Sequence, residues 1–228
     1  MLGETSQGDR MNLMKIFSII LFLFVTLVHL YASGKTDGKM RDLTKPFILL
    51  SLIGIYCFST EKIVWTVVLA LCFSWLGDLF LMGEGPVWFI TGGISFTVSH
   101  LFFILSYLKE TDPEKIGIVT VILLMILYFF PVLIIFDGLR PHLPKDLFYP
   151  MFLYLFINGM MNCFAIFRFL SFPSLKGIVT VFGSALFFLS DTFLFFVQFK
   201  KESRLKTSFS VMCTYALGEL LITLGLIQ

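Results

Sequence analysis

The sequence predicts an all-α, polytopic membrane bundle of eight transmembrane helices, forming a single integral membrane domain over residues 1–228. Three observations predict this fold class. Hydrophobic residues make up 57% of the chain and charged residues only 14%, whereas about a quarter of a soluble domain is charged. The apolar residues fall into eight runs, each close to the roughly 20 residues that a helix needs to cross a bilayer. The connections between the runs are short, and several carry turn-forming residues.

The eight predicted helices are numbered here in chain order. They cover roughly residues 13–31, 43–59, 63–82, 87–108, 116–136, 148–169, 177–198 and 208–227. The second run is the weakest, because its strictly apolar part begins only at Pro46, a residue that suits the first turn of a helix. The turn sequence Gly83-Glu84-Gly85-Pro86 separates the third helix from the fourth, and Thr111-Asp112-Pro113 separates the fourth from the fifth.

Several classes of function are excluded or disfavoured by composition and motifs. The net charge of +2 and the absence of basic clusters among aromatics argue against nucleic acid as a partner. The four cysteines are scattered through apolar runs without a CxxC pair, so we expect no metal site and no disulfide framework. Nucleophile elbows, HExxH and phosphate-binding loops are also missing. We therefore expect no metal and no cofactor.

Orientation and internal symmetry are predicted from weaker signals. Ten basic residues fall on one side of the membrane and seven on the other, which places the 1–2 and 7–8 loops in the cytoplasm and both termini outside. Asp78 and Asp191 lie 113 residues apart, and Ser95–Val98 (SFTV) matches 208–211 (SFSV) at the same offset. Such a repeat would make helices 1–4 and 5–8 two parallel halves, with helices 3 and 7 equivalent.

Three acidic residues lie inside the apolar runs: Asp78 in LGDLFLM, Asp191 in LSDTFLF, and Glu219. A charged side chain at the centre of a bilayer costs about 2.5–3.5 kcal/mol on insertion scales, so such groups face a protein interior or a wet cavity. No lysine or arginine lies in the middle of any predicted helix. We therefore expect these acids to be protonated, hydrogen-bonded, or in contact with water and a cation from the rim.

Depth in the membrane decides which polar residues are able to meet. Both aspartates lie about fifteen residues from their helix starts, on the side reached by the 1–2, 3–4, 5–6 and 7–8 loops. Lys45 enters helix 2 from that side, and Tyr215 lies in the nearer half of helix 8. Depth therefore permits one pocket containing Asp78, Asp191, Lys45 and Tyr215, whereas His100 and Glu219 fall nearer the middle.

Each of these residues also has a purely structural interpretation. Gly77-Asp78 and Ser190-Asp191 would then serve as close-packed, interhelical hydrogen-bonding pairs. Lys45 would extend its ammonium to the interface, and His100 would fill space in the core. Tyr154, Asn158 and Asn162 recur four residues apart on helix 6 and predict a polar stripe facing the bundle, which we interpret as structural.

The residues themselves favour acid–base chemistry. Burial favours the neutral form of a carboxyl, and two carboxyls in one site divide into one protonated and one ionised group. A pair of this kind, formed by Asp78 and Asp191, suits hydrolysis of an acid-labile bond in a lipid.

The same residues carry a resemblance to a known family. FSWLGDLFLM followed by GGISFTVSH resembles the Gly-Asp helix and the following histidine helix of the bacterial YhhN and animal TMEM86 membrane proteins. GSALFFLSDTFLF is similar to that family's Gly-Ala…Ser-Asp helix. Thr214-Tyr215 resembles its last helix, and Leu43-Thr44-Lys45-Pro46 its entrance to helix 2. These matches run from helix 2 to helix 8 in the family's order.

That resemblance implies an eight-helix lysoplasmalogenase, which cleaves the vinyl ether bond of a lysoplasmalogen to a fatty aldehyde and a glycerophospho-base. It implies that Asp78 and Asp191 are catalytic, and that Lys45, His100, Ser190 and Tyr215 support them. Glu219 departs from the family, whose last helix typically has glutamine there, and we place it among the supporting residues as a third acid.

The implied partners are a lysophospholipid with a choline or ethanolamine head group, bilayer lipid and water. One aspartate would protonate the vinyl ether and the other would stabilise the cation and activate water. Lys45, Lys200 and Lys201 would meet the phosphate at the rim.

Two alternatives stay open at this stage. The first is a proton-coupled transporter of a small solute or lipid that uses the same acids. The second is a noncatalytic lipid sensor. Head-group preference and oligomeric state are not predicted.

Overall fold

The computed structural model describes residues 2–35, 37–200 and 208–228, and within these ranges it contains helices and no β-strand. The eight α-helices are α1 Leu2–Gly34, α2 Gly38–Ser59, α3 Trp65–Phe80, α4 Pro86–Leu108, α5 Ile118–Leu139, α6 Phe148–Ser171, α7 Leu175–Phe195 and α8 Ser208–Leu226. Short 3₁₀ turns lie at Pro113–Lys115, Arg140–His142 and Lys145–Leu147, and α7 continues into a π-helical turn, Phe196–Lys200.

Seven of these helices are long and apolar enough to cross a membrane, and α3 is a shorter apolar helix of 16 residues. The predicted eight-helix, all-α class is therefore confirmed, and the chain is a multi-pass membrane protein. We call the side of the membrane at which α1, α3, α5 and α7 end the mouth side, and the opposite side the far side.

The start of α2 differs from the prediction. The helix begins at Gly38, where the Asp37 side chain caps it by accepting a hydrogen bond from the backbone N–H of Met40 at 3.2 Å. Pro46 consequently lies inside the helix and not in its first turn. Hydropathy alone misplaced this boundary, because the first two turns of α2 are polar although they are helical. Lys45 therefore projects from the body of α2.

Local sequence signals account for two other helix starts. Gly85 adopts φ of +99°, a conformation that favours glycine, and Pro86 follows it as the first residue of α4. Ser174 caps α7 by accepting a hydrogen bond from the backbone N–H of Gly177 at 3.0 Å.

Seven of the helices pack in a ring around a common interior. In order around the ring they are α1, α2, α3, α4, α6, α7 and α8, and α8 closes the ring against α1 and α2. α5 lies outside the ring against α6, and most of its large apolar side chains are exposed where lipid would surround them. The predicted equivalent of α5, which is α1, belongs to the ring, so the two halves of the predicted repeat differ in packing.

A buried arginine joins the helix ends on the far side. Arg168 of α6 donates to a Glu110 carboxylate oxygen at 2.7 Å, to the Thr180 hydroxyl at 2.9 Å and to the Gly225 carbonyl at 3.1 Å. Gln228 also donates to Glu110, at 3.1 Å. Because Arg168 and its partners come from four segments of the chain, this cluster fixes the ends of α4, α6, α7 and α8 relative to one another.

Glycines let α7 and α8 approach at backbone distance. A Cβ atom added to Gly183 would lie 2.7 Å from the Ile222 nitrogen and 2.8 Å from the Gly218 oxygen. One added to Gly218 would lie 2.9 Å from the Phe187 nitrogen. Small residues at a helix interface are how membrane helices obtain close van der Waals packing, so this contact positions α7, the helix that carries Asp191.

We expect Gly183→Ala and Gly218→Ala each to destabilise the protein by about 1–3 kcal/mol, because backbone atoms of the facing helix would have to move. Gly93→Ala is the matched control, since nothing lies within 4 Å of a Cβ at that helical glycine. Unfolding of the detergent-solubilised protein in increasing SDS measures the difference. Equal stability of all three variants would show that α7 and α8 are not packed this closely.

Candidate active site

A cavity of about 860 Å³ opens on the mouth side of the ring. Its deep wall includes Lys45, Asp78, Asp191 and Tyr215, which come from α2, α3, α7 and α8. Its mouth is lined by the α3–α4 connection and by residues just before α6. The structure thus brings together the four side chains whose depths had indicated that a shared pocket was possible.

Asp78 lies one residue from the glycine that makes room for a phenylalanine of α4. A Cβ on Gly77 would meet the Phe96 ring at 2.6 Å, so α3 and α4 pack closely at this level. The Asp78 carboxylate is 3.3 Å from the Lys45 ammonium through Oδ1, and its Oδ2 accepts a hydrogen bond from the Tyr215 hydroxyl at 2.8 Å. Both oxygens of this buried acid are therefore held by donors, one of which is a cation.

Asp191 has partners of another kind. The Tyr154 hydroxyl and the Asn158 amide both donate to its Oδ2, at 2.5 Å and 2.7 Å. The His100 Nε2 atom is 3.9 Å from the same oxygen, beyond hydrogen-bonding distance. Because both hydrogen bonds converge on Oδ2, Oδ1 is the oxygen left for a transferable proton. No lysine or arginine of the described residues forms an ion pair with this carboxyl.

The two acids are thus distinguished by their surroundings. Lys45 gives Asp78 the counter-ion that an anion in a bilayer interior needs, whereas Asp191 has a phenol and an amide. A carboxylate paired with an ammonium suits the role of base or of cation stabiliser. A carboxyl held by neutral donors suits the role of acid. The site can therefore donate a proton from Asp191 and accept a proton at Asp78.

Ser190 has a structural contact as well as a place in the cavity wall. Its hydroxyl donates to the Val211 carbonyl at 2.9 Å and so ties α7 to α8 beside Asp191. The supporting role predicted for it stays a prediction.

His100 and Glu219 lie outside the cavity wall, in the interior of the ring. Both are fully buried. The His100 ring packs edge-on against Tyr154 and Phe187, with centroids 5.4 Å and 5.0 Å away. Neither ring nitrogen of His100 and neither carboxyl oxygen of Glu219 has a hydrogen-bond partner among the described residues, although the Ser74 hydroxyl lies beside Glu219. His100 thus contacts Tyr154, which donates to Asp191, and neither His100 nor Glu219 lines the cavity.

Two site residues were assigned only a structural role by sequence reasoning. Tyr154 and Asn158 belong to the polar stripe of α6, and the structure places both on the Asp191 carboxyl. The i, i+4 spacing of hydroxyl and amide on a face directed at the bundle was the signal for this contact. Asn162, the third member, instead donates to the Asn158 carbonyl at 3.0 Å and stays within its own helix.

The predicted phosphate ligands are placed differently from expectation. Lys45 is engaged by Asp78, and Lys200 lies over the Phe196 ring, 5.5 Å from its centroid, and is not in the cavity wall. Lys201 lies outside the described residues. Arg41, which was not among the predicted phosphate ligands, lines the cavity four residues before Lys45 on α2.

No group of three or more His, Cys, Asp or Glu side chains in residues 2–35, 37–200 and 208–228 is arranged to hold a metal ion.

The fold and the site define a multi-pass membrane protein with a pair of buried acids facing a cavity that opens on one side of the bundle. The YhhN family model matches residues 40–226, which include α3 to α8 and all but the first two residues of α2, and the chain therefore belongs to the YhhN family. Neither a curated protein nor a solved structure significantly matches the chain.

We expect Lys45→Met to destabilise the protein by about 3 kcal/mol, because it leaves the Asp78 carboxylate buried without a counter-ion. The double variant Lys45→Met/Asp78→Leu should recover most of that loss, since neither charge is then left unpaired. Lys45→Arg, which keeps the charge, is the control. Unfolding in SDS measures all three, and a double variant as unstable as Lys45→Met would contradict the ion pair.

Proposed function

We propose that this protein is a lysoplasmalogenase, which hydrolyses the vinyl ether bond of a lysoplasmalogen to a fatty aldehyde and a glycerophospho-base. The observation that carries the proposal is the pair of carboxyls, Asp78 and Asp191, which line one cavity. Asp78 is paired with a cation, whereas Asp191 is held by neutral hydrogen-bond donors. Membership of the YhhN family supports it, because that family includes lysoplasmalogenases.

The cavity suits a single-chain phospholipid. Its volume of about 860 Å³ is within the roughly 300–1,000 Å³ of small-molecule sites. Phe89, Phe96 and Phe199 give part of its wall an apolar surface for the hydrocarbon chain. Arg41 lines the cavity one helical turn, about 6 Å, nearer the mouth than Lys45. We assign the phosphate to this guanidinium because its planar set of N–H donors matches phosphate oxygens and it lies toward the mouth.

The first chemical step is protonation of carbon. A vinyl ether accepts a proton at its β-carbon, and the ether oxygen donates an electron pair to give an oxocarbenium ion. Asp191 supplies this proton from Oδ1, while Tyr154 and Asn158 stabilise the carboxylate that forms on it. The Asp78 carboxylate, held by Lys45 and Tyr215, stabilises the cation across the cavity.

The second step is capture of the cation by water. Asp78 takes a proton from the attacking water, and the oxygen bonds to the carbon that carries the ether oxygen, giving a hemiacetal. Asp191, now ionised, removes the hemiacetal hydroxyl proton, while Asp78 protonates the departing glycerol oxygen. The aldehyde and the alcohol leave, and both carboxyls return to their initial protonation states. The cycle consumes one water and needs no metal ion or cofactor.

The transporter alternative places another demand on the structure. Transport by alternating access needs the site to open to both sides of the membrane. On the far side the hydrogen bonds of Arg168 join α4, α6, α7 and α8, and these would have to break in each cycle. A cavity that opens on one side only therefore favours a reaction within the site over transport across the membrane. An assay for the aldehyde product distinguishes the enzyme from the transporter and from the sensor.

We expect the purified protein in detergent to release fatty aldehyde from choline and ethanolamine lysoplasmalogens and not from acyl lysophospholipid. Asp78→Asn and Asp191→Asn should each lower kcat at least about 100-fold, the range for loss of a general acid or base. Asp137→Asn is the matched control, because that aspartate is exposed on α5 and does not line the cavity.

Absence of aldehyde from well-folded protein across a range of pH would overturn the hydrolase. Uptake of intact lipid driven by a pH gradient would then support the transporter, and binding alone would support the sensor. Normal turnover in both aspartate variants would show that the reaction occurs elsewhere.

The proposed order of proton transfers also predicts a labelling pattern. In D₂O the aldehyde should carry one deuterium on the carbon next to its carbonyl, because that carbon is protonated first. In H₂¹⁸O the label should enter the aldehyde and not the glycerol, since the glycerol oxygen stays with its own carbon. Immediate reduction of the aldehyde to the alcohol, followed by mass spectrometry, reads both labels. Label in the glycerol product would contradict this mechanism.

A further inference from the structure

A buried histidine of α1 lines the cavity and is not used in the mechanism above. His29 of α1 is 2% exposed and belongs to the cavity wall together with Arg41 and Lys45. Its Nδ1 atom is 2.9 Å from the Thr44 hydroxyl. Thr44 directly precedes Lys45, so the imidazole lies at the depth of the ion pair between Lys45 and Asp78.

The hydrogen bonds of Thr44 determine which tautomer the neutral ring adopts. The Thr44 hydroxyl donates its single proton to backbone carbonyls of its own helix, that of Met40 at 2.8 Å or that of Arg41 at 3.2 Å. Toward His29 the same oxygen is therefore an acceptor, and Nδ1 is the donor. Nε2 then has no hydrogen and is the acceptor nitrogen of the ring.

We propose that His29 Nε2 accepts a hydrogen bond from the free hydroxyl at C2 of the substrate's glycerol, so that His29 is a specificity-determining residue for lysolipids. This inference rests on the proposed function, because it takes a lysoplasmalogen as the ligand. A choline lysoplasmalogen has one hydrogen-bond donor, the C2 hydroxyl, since its phosphate is ionised and its ammonium carries no N–H. The C2 hydroxyl is therefore the one group of this lipid that can donate a hydrogen bond to His29 Nε2.

The positions of the neighbouring groups fit this assignment. The C2 hydroxyl is attached to the middle carbon of the glycerol. One neighbouring carbon bears the vinyl ether oxygen, and the other bears the phosphate. His29 likewise shares a wall with Lys45, which holds the catalytic carboxylate, and with Arg41, which we assign to the phosphate. The wall formed by α1 and α2 would thus recognise the glycerophosphate part of the lipid.

The assignment predicts discrimination against a lipid with two chains. An acyl group at C2 removes the donor and places bulk against a buried ring that is fixed by Thr44. A site built to hydrogen-bond a hydroxyl discriminates strongly against an analogue that lacks it, because the buried acceptor is then left without a partner.

Binding of unreactive analogues tests the inference independently of hydrolysis. The probes are a saturated 1-O-alkyl lysophosphocholine, which has no vinyl ether, and its 2-deoxy counterpart, in which hydrogen replaces the C2 hydroxyl. Equilibrium binding of each radiolabelled probe to the purified protein in detergent gives two dissociation constants. We expect the hydroxyl probe to bind about tenfold more tightly, as one hydrogen bond to a buried acceptor implies.

Two substitutions separate Nε2 from Nδ1. The amide nitrogen of His29→Asn takes the position of Nδ1 and keeps the contact with Thr44, but nothing replaces Nε2. His29→Gln places an amide oxygen near the position of Nε2 and loses the Nδ1 contact. We expect the discrimination between the probes to disappear in the asparagine variant and to be largely retained in the glutamine variant. His142→Asn, an exposed histidine outside the cavity, should leave it unchanged.

Equal binding of the two probes by the wild-type protein, or full discrimination by His29→Asn, would overturn the inference. Loss of discrimination in His29→Gln with retention in His29→Asn would assign His29 a structural role through Thr44. Discrimination that depends on Nε2 in a protein that releases no aldehyde would support the lysolipid site and refute the hydrolase, so the two proposals fail separately.

Discussion

The requirement that a charge inside a bilayer has a partner in the protein is met here by the Lys45–Asp78 ion pair, and much of the architecture serves that pair. Lys45 reaches Asp78 because α2 begins at Gly38 and presents the lysine from the body of the helix. The Pro46 carbonyl accepts a hydrogen bond from the Trp75 indole at 3.0 Å, which fixes α2 against α3 one residue from the pair. The hydrogen bond from Trp75 to Pro46 therefore helps to orient Lys45, the residue that precedes Pro46.

The second acid is held by a separate set of helices. Asp191 receives its donors from α6, while Ser190 fixes the same stretch of α7 to α8. The glycine contacts between α7 and α8 restrain these helices at their middle, and the Arg168 cluster restrains them on the far side. The two aspartates, which the predicted repeat would make equivalent, therefore have unequal surroundings, because Asp78 faces a lysine of α2 and Asp191 faces a phenol and an amide of α6.

The spans and the depths of the acids could be predicted from sequence, because both follow from hydropathy and the rise of a helix. The partners could not be, because they depend on the rotation of each helix about its axis and on the order of helices around the ring. Tyr154 and Asn158 were recognised as a stripe, yet nothing in the spacing showed that α6 would lie beside α7. His29 gave no signal at all, since a single histidine in an apolar run is equally compatible with packing.

Arg168 illustrates the same limit from the other end of the bundle. It lies near the end of the predicted sixth helix, and in the structure it is buried on α6 with three partners from other segments. A long side chain near a helix end is compatible both with reaching outward to the interface and with turning inward, and only the presence of Glu110, Thr180 and the Gly225 carbonyl at one point decides between them. The arginine is visible in the local sequence, but the meeting of its three acceptors at one point is not.

The one-sided cavity connects these restraints to chemistry. A carboxylic acid that must protonate carbon benefits from a site with little competing water, yet the same reaction needs one water to capture the cation. Asp78 and Asp191 lie in the deep wall of a cavity whose mouth is formed by polar connections, and apolar side chains such as Phe89 and Phe199 line part of the space between. In the proposed reaction, a lipid chain in this space would exclude bulk water, while the mouth would still supply single water molecules. The far-side cluster makes that arrangement stable, because it holds the helix ends together where no opening is needed.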